Sequence, residues 1–276
     1  MFKRILLPTD FSDYANNALE FGITIANLSG AVLDVVHFYH VGSLKKDLSP
    51  AHFEYAEKQL FAEADQKLDE LGNRIKEKYP TIQFKLQAQW GIPEIAIQSL
   101  AKKEPYDLIV MGTKGTGTRD FLGSTTTNVI DKLSIPTLVI PLKANSTDLK
   151  HFVWASDLEI KQASAVQPLF VLAGLCEADI TTVYVREPQE SETTLKANFS
   201  KIITHLPADI QHKLHLHTSS GELLHELSRV VHSFKTDLLC MVMRERTFIE
   251  RFLDSSLTTQ LAENVDLPLL ILHKSS

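Results

Sequence analysis

Short apolar runs alternate along the first half of the chain with longer stretches in which apolar residues recur every three to four positions. The short runs are Arg4–Leu7, Val32–Phe38, Gln83–Gln89, Leu108–Met111 and Thr137–Ile140. The longer stretches are Asp13–Leu28, Pro50–Lys78, Pro93–Lys103 and Thr125–Leu133. The short runs are typical of buried strands, and the longer spacing is typical of helices with one packed face. Their alternation predicts an α/β fold with a parallel sheet covered by helices on both faces.

The same order of elements repeats in the second half of the chain. The matching strands are predicted at Phe152–Ala155, Asp179–Val185, Lys213–Thr218, Leu238–Met241 and Leu269–Leu272. Pro136 precedes the last strand of the first half, and Pro268 precedes the last strand of the second. Self-similarity of this length indicates a tandem duplication. We therefore predict two domains, residues 1–143 and 150–276, joined by a short polar linker.

A glycine-rich loop follows the fourth strand of the first half. Its glycines are Gly112, Gly115, Gly117 and Gly123, and a predicted helix comes next. Glycines let the backbone approach an anion, and the free N–H groups of a helix start supply hydrogen-bond donors. The loop therefore predicts a phosphate site, with a plain tight connection as the alternative. Ser124 is the predicted N-cap of the helix, its hydroxyl facing the same N–H groups.

The second half has lost the glycines of this loop. Val242, Glu245 and Ser255 stand at the matching positions, and Ser256 stands at the position of Ser124. A carboxylate at Glu245 would repel phosphate, and Val242 does not readily adopt a positive φ. We therefore expect phosphate binding in the N-terminal domain and not in the C-terminal one.

Composition narrows the classes of function. The chain has 276 residues, 44% of them hydrophobic, and a net charge of −6 with acidic and basic residues mixed along it. This mixing argues against a nucleic-acid partner, which would require clustered Lys and Arg. No apolar segment approaches the roughly 18 residues that span a bilayer, so no membrane association is expected. The chain opens on a strand rather than a signal peptide and has two cysteines in apolar surroundings, which favours the cytoplasm.

Several motifs together resemble the universal stress protein family. They are Ile5-Leu-Leu-Pro-Thr-Asp-Phe-Ser-Asp13 with Asn17-Ala-Leu-Glu20, Val36-His37, Gly91-Ile-Pro93, and Gly112-x-x-Gly115 followed by Gly123-Ser124. These motifs cover nearly all of residues 1–142, and the repeat extends the resemblance to the rest. The resemblance implies two Rossmann-like domains, each with five parallel strands in doubly wound order. It also implies that the two domains pair within the chain as a pseudo-dimer.

The resemblance implies an adenine nucleotide as the ligand, ATP or AMP, alone or with Mg²⁺. In doubly wound sheets, ligands bind beyond the carboxyl ends of the strands where the winding reverses. The residues that match the family's contacts are Pro8, Thr9, Asp10, Phe38, Met111, Gly112, Gly115, Gly123, Ser124, Thr125 and Thr126. Phe38 matches the place where backbone groups hold adenine. Asp10 is expected to contact the nucleotide; the alternative is that Asp10 and Ser12 only cap a helix.

The glycine-rich loop departs from the family's pattern in its length. Residues 116–122 separate Gly115 from Gly123, a shorter segment than nucleotide-binding members have. A shorter loop predicts a narrower cradle for the phosphates, which affects ATP more than nucleotide binding in general. Lys114 and Arg119 either offset phosphate charge or face water. Asp157 stands at the position of Asp10 in the second half.

The resemblance favours a nucleotide-responsive binding protein of the stress response. The sequence has no nucleophile elbow and no Gly-Lys-Ser phosphate loop, so no catalytic residue is assigned. The alternatives are an interaction module that binds no nucleotide and a slow ATPase. The fifth strand of each domain is the predicted pairing edge, because an exposed strand edge seeks a partner. A further homodimer of two chains remains open.

Histidines of the second half raise the question of a metal site. His215 and His217 alternate along a strand, and His225 and His232 share a helix face. Zinc requires three or four ligands that converge, and no familiar spacing indicates such a set. Solvated histidines are the favoured interpretation, and no metal site is predicted.

Overall fold

The structure, a computed structural model, describes residues 1–40, 49–115, 122–146, 149–159, 163–207, 209–219, 223–243 and 267–274. Within them the strands are β1 (Arg4–Thr9), β2 (Val32–Tyr39), β3 (Phe84–Trp90), β4 (Leu108–Gly112), β5 (Thr137–Ile140), β6 (His151–Ala155), β7 (Asp179–Arg186), β8 (His212–Thr218), β9 (Leu238–Met243) and β10 (Leu269–His273). The helices are α1 (Asp13–Ser29), α2 (Pro50–Lys78), α3 (Pro93–Lys103), α4 (Ser124–Lys132), α5 (Gln167–Cys176), α6 (Glu192–Ile203) and α7 (Leu223–Ser233).

The described strands form one continuous sheet in the order β3-β2-β1-β4-β5-β10-β9-β6-β7-β8. Within each half, neighbouring strands run parallel. Each half winds outwards in both directions from its first strand, β1 or β6. The predicted fold class, two tandem doubly wound α/β domains, is confirmed.

The two halves of the sheet join through their fifth strands, as predicted. β10 pairs antiparallel with β5, and Leu270 lies opposite Leu138 at the centre of the pair. Both leucine side chains are fully buried. The carbonyl of each preceding proline accepts a bond from the fourth strand of its own domain: Ile109 N–H donates to Pro136 and Leu239 N–H to Pro268. The two domains therefore form a pseudo-dimer within one chain.

The hydrophobic core continues across this junction. Phe21 of α1, Trp154 of β6 and Phe170 of α5 belong to one cluster of buried side chains. Helices α1 and α5 also pack against each other. Because apolar burial is the main stabilising term in folding, we expect the two domains to depend on each other for stability.

Element boundaries agree closely with the predicted ones. The helices that open on Pro50 and Pro93 begin at those residues, because proline is pre-organised for the first turn and its missing N–H is not needed there. Strand β1 continues two residues beyond the prediction to Thr9, and β9 continues to Met243. No helix within the described residues combines the length and apolar character needed to cross a bilayer.

His215 and His217 of β8 are half-buried and contact neighbouring side chains, so they are more packed than the solvated histidines that were expected. The ring of His215 lies against Phe234 with centroids 5.0 Å apart. His217 Nε2 lies 2.6 Å from the carboxylate of Glu226, which is buried. His232 is exposed, and the side chain of His225 lies outside the described residues. In the part of the chain that the structure describes, no group of three or more His, Cys, Asp or Glu side chains could hold a metal ion.

His212, at the start of β8, lies among aromatic side chains. Its ring is 5.2 Å from Phe170 and 4.9 Å from Phe199, centroid to centroid. Nε2 lies 2.7 Å from the hydroxyl of Thr182, which is buried. Burial in these surroundings lowers the pKa of His212 to about 4, because a charged imidazolium is poorly solvated there.

We expect His212 to make the fold sensitive to acid. In the unfolded chain this histidine takes up a proton near pH 6.5, whereas in the folded protein it does so near pH 4. The free energy of unfolding should therefore fall as the pH drops from 6.5 to 4, by up to about 3 kcal/mol from this group. Urea unfolding at a series of pH values measures this decrease in the free energy of unfolding.

His212→Phe should make the free energy of unfolding less dependent on pH, whereas His232→Gln should leave its pH dependence unchanged. Equal pH dependence in the two variants would contradict the assignment of the acid sensitivity to His212.

We expect Leu270→Ala to lower the free energy of unfolding by about 2–5 kcal/mol, because it empties a buried site at the junction of the two domains. Leu142→Ala is the matched control, since Leu142 is 40% exposed. The control should change stability by no more than about 0.5 kcal/mol. Urea unfolding followed by tryptophan fluorescence compares the two variants, and equal losses would show that the junction is not a packed core.

Candidate functional site

A cavity of about 270 Å³ lies beyond the carboxyl ends of β1, β2 and β4. All the predicted contact residues line it: Pro8, Thr9, Asp10, Phe38, Met111, Gly112, Gly115, Gly123, Ser124, Thr125 and Thr126. Four further residues complete the lining, namely Ala15, Pro93, Ile97 and Lys114. The cavity lies where β1 separates strands wound in opposite directions, the position at which such sheets bind ligands. The structure thus brings the predicted residues together around one space; that they bind a nucleotide remains a prediction.

The turn after β1 positions the carboxylate of Asp10 at the cavity. Phe11 has a φ of 62° and its N–H donates to the hydroxyl of Thr9. The backbone N–H and the hydroxyl of Ser12 both donate to Asp10 Oδ1, at 3.0 Å and 2.6 Å. Ser12 in turn is the N-cap of α1. Ser12 thus caps α1 and Asp10 Oδ1 holds Ser12, whereas Oδ2 faces the glycine-rich loop. Contact of Asp10 with a nucleotide stays a prediction.

Glycine is required where the loop approaches Asp10 and α1. A Cβ added to Gly115 would overlap Asp10 Oδ2, and one added to Gly112 would lie 2.9 Å from the backbone of Tyr14. The hydroxyl of Thr126 donates to the carbonyl of Gly112 at 3.0 Å, which joins the two ends of the loop. Residues 116–121, which include Gly117 and Arg119, lie outside the described residues.

The start of α4 differs from the prediction in one respect. Gly123 is the N-cap, with φ −67° and ψ 158°, and Ser124 is the first residue of the helix. The prediction of Ser124 as N-cap is therefore wrong. The N–H of Gly123 donates to the carbonyl of Thr113 at 2.9 Å. The loop therefore ends at Gly123, and the helix begins one residue earlier than predicted.

A glutamate that the sequence did not single out meets the start of α4. The hydroxyls of Ser124 and Thr125 donate to the same oxygen, Glu94 Oε1, at 3.2 Å and 3.0 Å. Glu94 belongs to the first turn of α3. The only sequence signal was its place after Pro93 in the motif that opens α3, and nothing in that motif indicates contact with another helix.

The opposite wall of the cavity is apolar. Phe38, Ile97 and Met111 are all at least nine-tenths buried and present their side chains to the space. Among the described lining residues the charged ones are Asp10, which supplies a carboxylate, and Lys114, which supplies an ammonium group. Lys114 Nζ lies 5.5 Å from the ring centroid of Tyr14. An apolar wall facing a few convergent polar groups is typical of small-molecule sites.

The neighbouring strand supports the turn after β1. His37 Nδ1 lies 2.8 Å from the carbonyl of Thr9, which can only accept, so this nitrogen carries the proton. The ring packs on Phe11 with centroids 4.5 Å apart. Burial lowers the pKa of His37, which keeps the ring neutral under the turn.

The C-terminal domain repeats this turn after β6. The N–H of Glu159 donates to Asp157 Oδ1 at 2.9 Å, and the N–H of Leu158 donates to the hydroxyl of Ser156 at 3.0 Å. Leu158 has a φ of 54°, matching Phe11. The loop that would complete a second cavity, with Glu245, Ser255 and Ser256, lies outside the described residues. The turn is thus common to both domains, and only the N-terminal one shows a glycine packed against its aspartate.

Comparison with known proteins gives consistent matches. A model of the universal stress protein family matches residues 1–141 and 149–273. Universal stress protein MJ0577 of Methanocaldococcus jannaschii is 32% identical over 161 residues, which cover 52% of this chain and 97% of that protein. A universal stress protein of Thermus aquaticus is 35% identical over 145 residues, which cover 51% of this chain and 99% of that protein. Each relative is therefore about one domain long.

A structural match extends over both domains. The crystal structure of a universal stress protein from Archaeoglobus fulgidus aligns with a TM-score of 0.76 over 99% of this chain and 97% of that one. The sequences are 16% identical, so the match shows a common fold.

We expect Gly115→Ala to destabilise the protein by about 1–3 kcal/mol, because the added Cβ displaces the carboxylate of Asp10. In an Asp10→Ala background the same change should cost much less, because the overlapping oxygen is absent. A double-mutant cycle of unfolding free energies measures this coupling. Gly174→Ala is the control, since its Cβ would meet nothing closer than 3.8 Å. Additive effects of Gly115→Ala and Asp10→Ala would contradict the contact.

Proposed function

The chain belongs to the universal stress protein family, and we propose that its N-terminal domain binds an adenine nucleotide and thereby regulates the protein's interactions. The observation that carries the proposal is the cavity at the switch point of the first five strands, which all the residues that match the family's contacts line. The family membership makes the nucleotide a reasonable ligand, and the shape and chemistry of the cavity support it.

The apolar wall suits an adenine base. Phe38, Met111 and Ile97 offer buried surface against which a flat ring would lose its contact with water. The cavity of about 270 Å³ is near the lower end of the roughly 300–1,000 Å³ of small-molecule sites. Such a space accommodates a nucleoside, with the phosphates extending towards the glycine-rich loop.

The loop side suits the ribose and phosphates. The first N–H groups of α4 have no partner within their own helix, and the helix dipole favours an anion near them. The hydroxyls of Ser124 and Thr125, which donate to Glu94 in this structure, would add donors for a phosphate that displaced this carboxylate, and Lys114 adds a positive charge. Asp10 Oδ2 is an acceptor suited to a ribose hydroxyl. A Mg²⁺ ion would reach this side with the phosphates, as part of the ligand.

A change at this loop can be transmitted to the junction between the domains. The loop leads into α4, and α4 leads into β5, which pairs with β10 of the other domain. A ligand that alters the start of α4 would therefore act on an element that is directly connected to the interdomain pairing. This route favours a protein whose interactions change when the nucleotide binds over a protein that only holds the nucleotide.

We expect ATP, ADP or AMP at millimolar concentration to raise the thermal midpoint by several degrees, because a ligand at 100 times its Kd stabilises the folded state by about 2.7 kcal/mol. Asp10→Ala and Gly115→Val should abolish the shift. Asp157→Ala is the matched control, because it changes the corresponding turn of the other domain, and it should keep the full shift. The proposal would be wrong if no adenine nucleotide raised the midpoint of thermal unfolding of the wild-type protein.

The same preparations separate the two alternatives. If no nucleotide raises the midpoint of thermal unfolding, the protein is an interaction module that binds no nucleotide. Phosphate release above a no-protein control, lost in Asp10→Ala, would identify the slow ATPase.

A further inference from the structure

A carboxylate already occupies the hydroxyl donors at the start of α4. Glu94 Oε1 accepts from Ser124 and Thr125 together, across 30 and 31 residues of sequence. Glu94 is half-buried between two packed helices, α3 and α4. The contact thus joins two packed helices, with Thr125 half-buried and Ser124 exposed.

The position of Glu94 matches what an anion would occupy. The N-cap of α4 is Gly123, which has no side chain to accept from the first turn. A negative charge at a helix N-terminus is stabilised by the free N–H groups and the dipole. Glu94 therefore supplies from α3 the negative charge that the cap of α4 lacks, at the end of the helix that faces the cavity.

From these contacts we propose that Glu94 selects for adenine ligands that carry few phosphates. The inference rests on the proposed nucleotide site. A phosphate chain that reaches the start of α4 must take the hydroxyls of Ser124 and Thr125 from Glu94 and lie beside its charge. That repulsion increases with the charge of the ligand. A base and ribose placed against Phe38 and Asp10 do not need these donors.

The charges around the cavity reinforce the selection. Among the described residues that line it, Lys114 contributes one positive charge and Asp10 one negative charge. Glu94 adds a second carboxylate at the phosphate end. The side-chain charges of these described residues give no positive surplus, so a ligand with several negative charges gains no net attraction from them. Adenosine carries no charge, and AMP carries fewer negative charges than ATP.

Isothermal titration of adenosine, AMP and ATP, each with and without Mg²⁺, tests the proposal in the wild-type protein and in Glu94→Gln. Glutamine keeps an oxygen that accepts from both hydroxyls, so the variant retains the contact and loses only the charge. We expect Glu94→Gln to lower the Kd of ATP about tenfold, that of AMP less, and that of adenosine less than about twofold. Glu77→Gln, which removes an exposed charge near the end of α2, should leave all three unchanged.

Three results would overturn the selection by Glu94 while leaving the nucleotide site intact. They are an unchanged Kd for ATP, an equal gain for all three ligands, and weaker ATP binding in Glu94→Gln only when Mg²⁺ is present. The last would make Glu94 a contact for the cation. If neither protein binds any of the three ligands, the proposed function itself fails, and this inference with it.

Discussion

The backbone pairing of β5 with β10 is the interaction on which the rest of this structure depends. Each is the outermost strand on its side of a parallel sheet, and its free edge presents N–H and C=O groups that need partners. Antiparallel pairing satisfies both edges at once. It also brings α1 close to α5, so that one core cluster extends through both domains. The protein therefore gains within one chain the stability that a dimer gains by association.

The candidate site depends on the same sheet in a different way. The winding from β1 in two directions opens a space beyond its carboxyl end, and the turn after β1 places a carboxylate there. The C-terminal domain has a corresponding turn, in which the N–H of Glu159 donates to Asp157 Oδ1. What distinguishes the N-terminal domain is Gly115, which lets the loop approach Asp10 without a Cβ in the way. In the N-terminal domain, the carboxylate of Asp10, the glycine-rich loop and the start of α4 thus surround one cavity.

A contact between α3 and α4 places a negative charge at the start of α4. Gly123 has no side chain that could cap the helix, and Glu94 from α3 accepts from the hydroxyls of Ser124 and Thr125. Under the proposed function, a phosphate that approached these hydroxyls would compete with Glu94 for them. The charge of a ligand therefore matters at the start of α4, because Glu94 already places a negative charge there.

The sequence by itself determined the elements, their order, their duplication and the loop that faces the cavity. These features depend on local patterns: apolar periodicity, proline at helix starts, and glycines between a strand and a helix. The cavity lining was predictable too, because parallel strands bring their carboxyl ends together. Only the tertiary structure decided that Gly123 and not Ser124 caps α4, that Glu94 holds the donors of that helix, and that His215 and His217 are packed. Those features depend on which helix lies beside which, and contacts between residues about 30 positions apart are set by packing that no local pattern encodes.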